Sequence, residues 1–205
     1  MKLRAAVIDY GVGNVGSVCQ ALTRAGTKPK ITRSPKDIAS ADFLVLPGVG
    51  EFSAAMHSLE QSHLTEALCE AIAVEEKPVL GICLGMQLFA ATSEESPGVA
   101  GLGLLPGRVA LLPDEGGPVP NTGWMQVASS TDKELDGSYY FSHSYFYDGP
   151  ADQVIATTGG SRNFTACLRW KNIVGCQFHP EKSQICGEHF LAWFLNFVRG
   201  KQHFF

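Results

Sequence analysis

Cys83 lies in the run Gly81-Ile82-Cys83-Leu84-Gly85, directly after the apolar stretch Pro78-Val79-Leu80-Gly81-Ile82. A cysteine between glycines, where a buried strand hands over to a helix, is the thiol counterpart of the G-x-S-x-G turn that exposes a nucleophile. The sharp turn brings neighbouring backbone close, so its flanks need glycine. It holds the side chain at the carboxyl end of the strands, where open α/β sheets place ligands. A helix beginning just past Cys83 favours a thiolate, and the amide of Leu84 is placed to meet a developing oxyanion. The pentapeptide fits a buried cysteine beside packing glycines equally well, so the chemistry needs a base.

Gln177-Phe178-His179-Pro180-Glu181-Lys182-Ser183 offers one. In extended backbone, residues two apart face the same side, so Glu181 can reach His179. Pro180 biases His179 toward extended geometry. A carboxylate on one ring nitrogen fixes the tautomer and leaves the other nitrogen for a thiol. Alone, His-Pro-Glu reads as an ordinary surface turn; together with the cysteine turn, it reads as a nucleophile–base–carboxylate set.

The elements that must position these groups fall into two rhythms. In the first half, short apolar runs at Leu3–Ile8, Pro29–Thr32, Phe43–Leu46 and Pro78–Ile82 alternate with helical patterns at Val15–Arg24 and about Ser53–Glu75. Near-continuous apolar strands between helices predict a parallel sheet covered on both faces. In the second half, Arg108–Leu112, Gly123–Ala128, Tyr139–Tyr147, Val154–Thr158, Thr165–Trp170 and Ile173–Phe178 are short strands between turns, an antiparallel extension. A helix over about Ile185–Arg199 closes the chain. The expected fold class is therefore α/β, one Rossmann-like domain over residues 1–205 with a central, mostly parallel sheet.

Hydrophobic residues make up 45% and charged ones 18%, which suffices for a core without staples. The net charge of −4 gives no case for a nucleic-acid surface. The N-terminal apolar run is too short for a signal peptide and no stretch reaches membrane-spanning length, so a cytoplasmic protein without membrane contact is expected. Cys19, Cys69, Cys83, Cys167, Cys176 and Cys186 show neither C-x-x-C pairing nor metal-site spacing. Free thiols, no metal and no cofactor are expected.

The two motifs together resemble class I (triad) glutamine amidotransferases. Asp9-Tyr10-Gly11-Val12-Gly13-Asn14, Leu46-Pro47-Gly48-Val49-Gly50 and Tyr140-Phe141-Ser142-His143-Ser144-Tyr145 narrow the resemblance to the HisH-type glutaminase subunits of imidazole glycerol phosphate synthase. The resemblance spans the whole chain. It implies a catalytic Cys83, His179 and Glu181, oxyanion donors at Val49 and Leu84, and glutamine held by Gly50, Gln87, Ser144 and Tyr145. It further implies that ammonia passes to a HisF-type (β/α)₈ cyclase in a heterodimer, with Asn14, Pro120 and Trp124 lining the junction. A barrel of that kind takes about 250 residues, which this chain does not have to spare. Glu94, Glu95 and His189 read as solvated surface residues, and His143 is open between a site role and a structural one.

The family usually reads Pro-His-Met-Gly-Trp-Asn where this chain has Pro120-Asn121-Thr122-Gly123-Trp124-Met125. That change bears on the acceptor, and a second reading is a glutaminase feeding surface-polysaccharide sugar modification. A rival from another class begins at Gly11-Val12-Gly13-Asn14-Val15-Gly16, which satisfies G-x-G-x-x-G, with Arg33 as an NADP reader. A thiol peptidase on the same fold and a non-catalytic regulatory subunit complete the alternatives.

Overall fold

The strands assemble mainly into one nine-stranded sheet in the computed structural model, which describes residues 2–113, 117–159 and 162–202. In chain order the first half contains β1 (Arg4–Ile8), α1 (Val15–Arg24), β2 (Lys28–Thr32), α2 (Pro35–Ser40), β3 (Phe43–Gly48), α3 (Phe52–Gln61), α4 (Leu64–Cys69), β4 (Val79–Cys83) and α5 (Leu84–Gln87). There follow β5 (Thr92–Ser93), β6 (Arg108–Leu111), β7 (Asn121–Ser129), β8 (Gly137–His143), β9 (Tyr145–Asp148), β10 (Val154–Thr158), β11 (Thr165–Trp170), β12 (Ile173–Cys176) and α6 (Gln184–Gln202).

The large sheet runs β2-β1-β3-β4-β12-β11-β10-β7-β8. Its β2 to β12 half is parallel, and the half from β11 outward is antiparallel. Alternation along β1 and β3 sends Ala5, Val7, Phe43 and Val45 into one core layer, shared with Val18 and Leu22 of α1 and Phe190 and Phe194 of α6. Ala6, Ile8, Leu44 and Leu46 enter the other, against Phe52 and Leu59 of α3 and Leu68 of α4. Helical cover on both faces is why these strands are continuously apolar over Ala5–Ile8 and Phe43–Leu46.

Three departures from the sequence reading have physical causes. The Ser53–Glu75 stretch is not one helix. It breaks at Ser62, whose hydroxyl turns back to the Ser58 carbonyl, and at left-handed His63 (φ 54°), then resumes as α4 and a π-helical turn at Glu70–Val74. The helix after Cys83 is a single turn, because the carbonyls of Leu88, Phe89, Ala90 and Ala91 accept from Leu102, Leu105, Gly103 and Gly101. The Tyr139–Tyr147 run splits at Ser144: β8 edges the large sheet, whereas β9 joins a three-stranded sheet ordered β5-β6-β9.

Candidate functional site

The register of the parallel half brings the chemistry-bearing residues together. Gly48 pairs with Cys83 across β3 and β4, and Cys176 pairs with Ile82 across β12 and β4. The glycine loop after β3 and the Gln177–His179 segment after β12 therefore flank Cys83 at the carboxyl ends of the central parallel strands. Cys83 itself adopts φ 53°, ψ −112°, backbone that a non-glycine residue takes only when its surroundings enforce it. Gly85 shows the enforcement: a Cβ there would lie 1.7 Å from the Leu46 carbonyl oxygen. At Gly81 a Cβ would come within 2.7 Å of the Met86 Cα. The turn closes only with glycine on both sides of it.

His179 and Glu181 meet as expected but by a different backbone route. His179 precedes a 3₁₀ turn at Pro180–Lys182, and Pro180 occupies its first position. The turn carries Glu181 round so that its Oε1 lies 2.9 Å from His179 Nδ1, with both side chains buried. Burial alone would push this imidazole down, but the Cys83 sulfur and the Glu181 carboxylate raise it to about 9. Glu181 Oε2 is buried with no hydrogen-bond partner among the described residues.

A cavity of about 280 Å³ opens on Cys83 and His179. Val49, Gly50, Leu84, Gln87, Pro120, His143, Ser144 and Tyr145 all border it. Of the site residues singled out in the sequence, Glu181, Asn14 and Trp124 are not among its lining; Glu181 bears on the cavity only through His179. Asn14 caps α1, its side chain accepting from the Ser17 amide at 3.4 Å. Trp124 lies on the exposed face of β7, edge-on to Tyr140, over which Lys182 Nζ sits 5.5 Å from the ring centroid.

Gln87 is buried rather than solvated, and its amide nitrogen donates to the Tyr145 carbonyl at 2.7 Å and to Gln177 Oε1 at 3.0 Å. His143 bonds Tyr145 O through Nδ1 at 2.9 Å and Asn121 Nδ2 through Nε2 at 3.2 Å. Burial pushes it down to about 4, so it is neutral near pH 7.

Two cavity neighbours went unread in the sequence. Glu95, taken for a solvated residue, borders the cavity, accepts the Phe52 amide at 2.9 Å at the start of α3, and is raised by burial. Gln177 is fully buried, with its Nε2 3.5 Å from Cys83 Sγ. A polar residue inside the apolar run ahead of His179 was the available signal. Tyr10, also buried, leaves its hydroxyl unpartnered among the described residues, and a Cβ on Gly48 would stand 2.5 Å from it.

The glycine-rich first turn is built for packing rather than for a dinucleotide. Gly13 lies against the Pro47–Gly48 backbone, and Arg33 is paired with Asp9 at 3.0 Å. Among the described residues no cluster of His, Cys, Asp and Glu is arranged to hold a metal, and no helix is long and apolar enough to cross a membrane.

A strained cysteine turn beside a His–Glu pair, at the carboxyl ends of the central strands of a doubly covered sheet, marks an α/β fold arranged for thiol chemistry. The glutamine amidotransferase class-I family matches residues 6–197, and the chain belongs to that family. It is 42% identical to imidazole glycerol phosphate synthase subunit HisH of Streptococcus gordonii over 94% of this chain and 95% of that one. Against the HisH subunit of Methanothermobacter thermautotrophicus the identity is 43%, covering 95% and 98%. A solved glutamine amidotransferase structure, 18% identical, superposes with a TM-score of 0.78 over 95% of this chain and 98% of that one, a likeness of fold.

Proposed function

We propose that this chain is the glutaminase subunit of an imidazole glycerol phosphate synthase, releasing ammonia from glutamine for histidine biosynthesis. The observation that carries the chemistry is the placement of His179 and its carboxylate partner beside a cysteine held in a strained turn. The full-length likeness to HisH subunits supports the choice of acceptor.

The Cys83 thiolate attacks the side-chain amide carbon of glutamine, forming a C–S bond. Negative charge moves to the carbonyl oxygen, which the amide of Leu84 and the Val49–Gly50 backbone are placed to receive. The amide of Leu84 opens a helix and lacks an acceptor within it. His179, protonated near neutral pH, gives its proton to the leaving nitrogen as the C–N bond breaks, and ammonia departs. Water then adds to the γ-glutamyl thioester with His179 as base, and glutamate leaves as the thiolate returns. Glu181 holds the ring and favours its charged form. A cavity of this size suits a free amino acid rather than a polypeptide, which argues against a peptidase. Gln87, its nitrogen already committed, offers only its oxygen to a ligand, and the Glu95 carboxylate suits an α-ammonium group.

The ammonia passes to a HisF-type (β/α)₈ cyclase. The cluster of exposed Trp124, half-buried Tyr140 and exposed Lys182, with Lys182 and Pro120 at the cavity rim, is a suitable docking face. Glutamate release should be slow for the chain alone and rise when a HisF-type partner and its ribotide ligand are added, with Cys83→Ala inactive in both. Equal release by wild type and Cys83→Ala in the complex contradicts the proposal.

A further inference from the structure

The buried amides around the cavity form one continuous chain whose orientation can be deduced. A carbonyl oxygen can only accept, so Gln87 must present its nitrogen to Tyr145 O, 2.7 Å away. The second hydrogen on that nitrogen points at Gln177, which must therefore answer with Oε1, at 3.0 Å. Gln177 Nε2 is then the atom left facing Cys83 Sγ, at 3.5 Å. Tyr145 O fixes a second arm in the same way: neutral His143 donates to it from Nδ1, and its Nε2 accepts from Asn121 on β7. Gln177 is fully buried, and its own backbone amide is held by Ala166 O at 2.9 Å, so it has little freedom to turn away.

We propose that Gln177 is a catalytic residue of the glutaminase reaction, a fixed hydrogen-bond donor to the Cys83 sulfur oriented by the Gln87–Tyr145–His143–Asn121 amide chain. This rests on the reading of Cys83 as nucleophile. A donor on the sulfur stabilises the thiolate before attack and again when it is expelled from the thioester. The ionisable groups that also bear on the sulfur are His179 from the segment after β12, Tyr10 from the turn after β1, and Cys176 from β12. None of these is replaced by the amide donor: His179 must move its proton during turnover, whereas Gln177 cannot lose one.

Gln177→Glu keeps the shape and the acceptor for Gln87 but removes the donor and places negative charge beside the sulfur. The test is the rate at which iodoacetamide alkylates Cys83 as a function of pH, followed on the Cys83 peptide by mass spectrometry. Gln20→Glu on the exposed face of α1 controls for net charge. Gln177→Glu is expected to slow alkylation at pH 7 at least about tenfold and to move its midpoint to higher pH, with Gln20→Glu unchanged. An unshifted profile in folded Gln177→Glu overturns the inference. If that variant does not fold, the wild type decides: the side-chain amide protons of Gln177, seen by NMR, should move with the same pH midpoint as alkylation, and protons that do not move overturn it. Should alkylated Cys83 still hydrolyse glutamine, the nucleophile reading fails instead, and the two failures are distinguishable.

Discussion

His179 and His143 border one cavity from opposite halves of the sheet, and their charges are opposite in tendency. His179 follows β12 beside the parallel strands; His143 ends β8 at the antiparallel edge. Both rings are buried, and both hold an oxygen on Nδ1 at 2.9 Å. The oxygen belongs to a carboxylate in one case and to a neutral carbonyl in the other. His179 is raised to about 9 by the sulfur and the carboxylate against the pull of burial, whereas His143, with no anion to hold, is lowered to about 4. Burial lowers both rings, and the anionic partners decide whether that lowering is overcome. One ring can therefore move protons near neutral pH, and the other serves as a fixed dipole that orients backbone.

The comparison breaks most severely at Glu181. Glu181→Gln removes one of the groups that raise His179, so the ring, the proposed proton donor to the leaving nitrogen, loses its proton at lower pH. Glutaminase activity with the partner should fall on the order of 100-fold at pH 8, the low end of what positioned acid–base groups contribute. The alkaline limb of the kcat/KM profile, expected as pH rises through about 9 in the wild type, should move toward neutral. An unmoved limb would remove Glu181 from the account.

A smaller effect is expected from His143→Gln. Folding depresses this ring below its unfolded value near 6.5, so the stability it contributes is full above that value and is lost as pH falls from about 6.5 toward 4. Thermal unfolding of His143→Gln should therefore change less between pH 7 and pH 5 than that of the wild type, with the alkaline limb of activity unmoved. A shifted alkaline limb would mean that both histidines carry protons in the reaction.

The elements legible in the sequence, in both halves of the sheet, are those whose signals are local. α1 ends where the 3.6-residue pattern ends, β10 and β11 where turn residues flank them, and the cysteine turn and His-Pro-Glu declare their chemistry within a few residues. What escaped was decided at long range. Nothing local tells that Ser144 divides the aromatic-rich Tyr139–Tyr147 run between two sheets, or that Leu102 and its neighbours take the carbonyls that would have extended α5. Glu95 looks solvated until the start of α3, 43 residues away in sequence, comes to meet it. Asn121 and Met125, two departures from the family motif, lie side by side, Asn121 Nδ2 3.1 Å from the Met125 sulfur, a pairing visible only once β7 is formed.

The most direct test of the central claim is the mass of Cys83 during turnover. When the complex with a HisF-type partner is acid-quenched while hydrolysing glutamine, the Cys83 peptide should carry one γ-glutamyl group, labile to hydroxylamine and absent from Cys83→Ala. Steady ammonia release with Cys83 unmodified, or an undiminished rate in Cys83→Ala, would contradict the account.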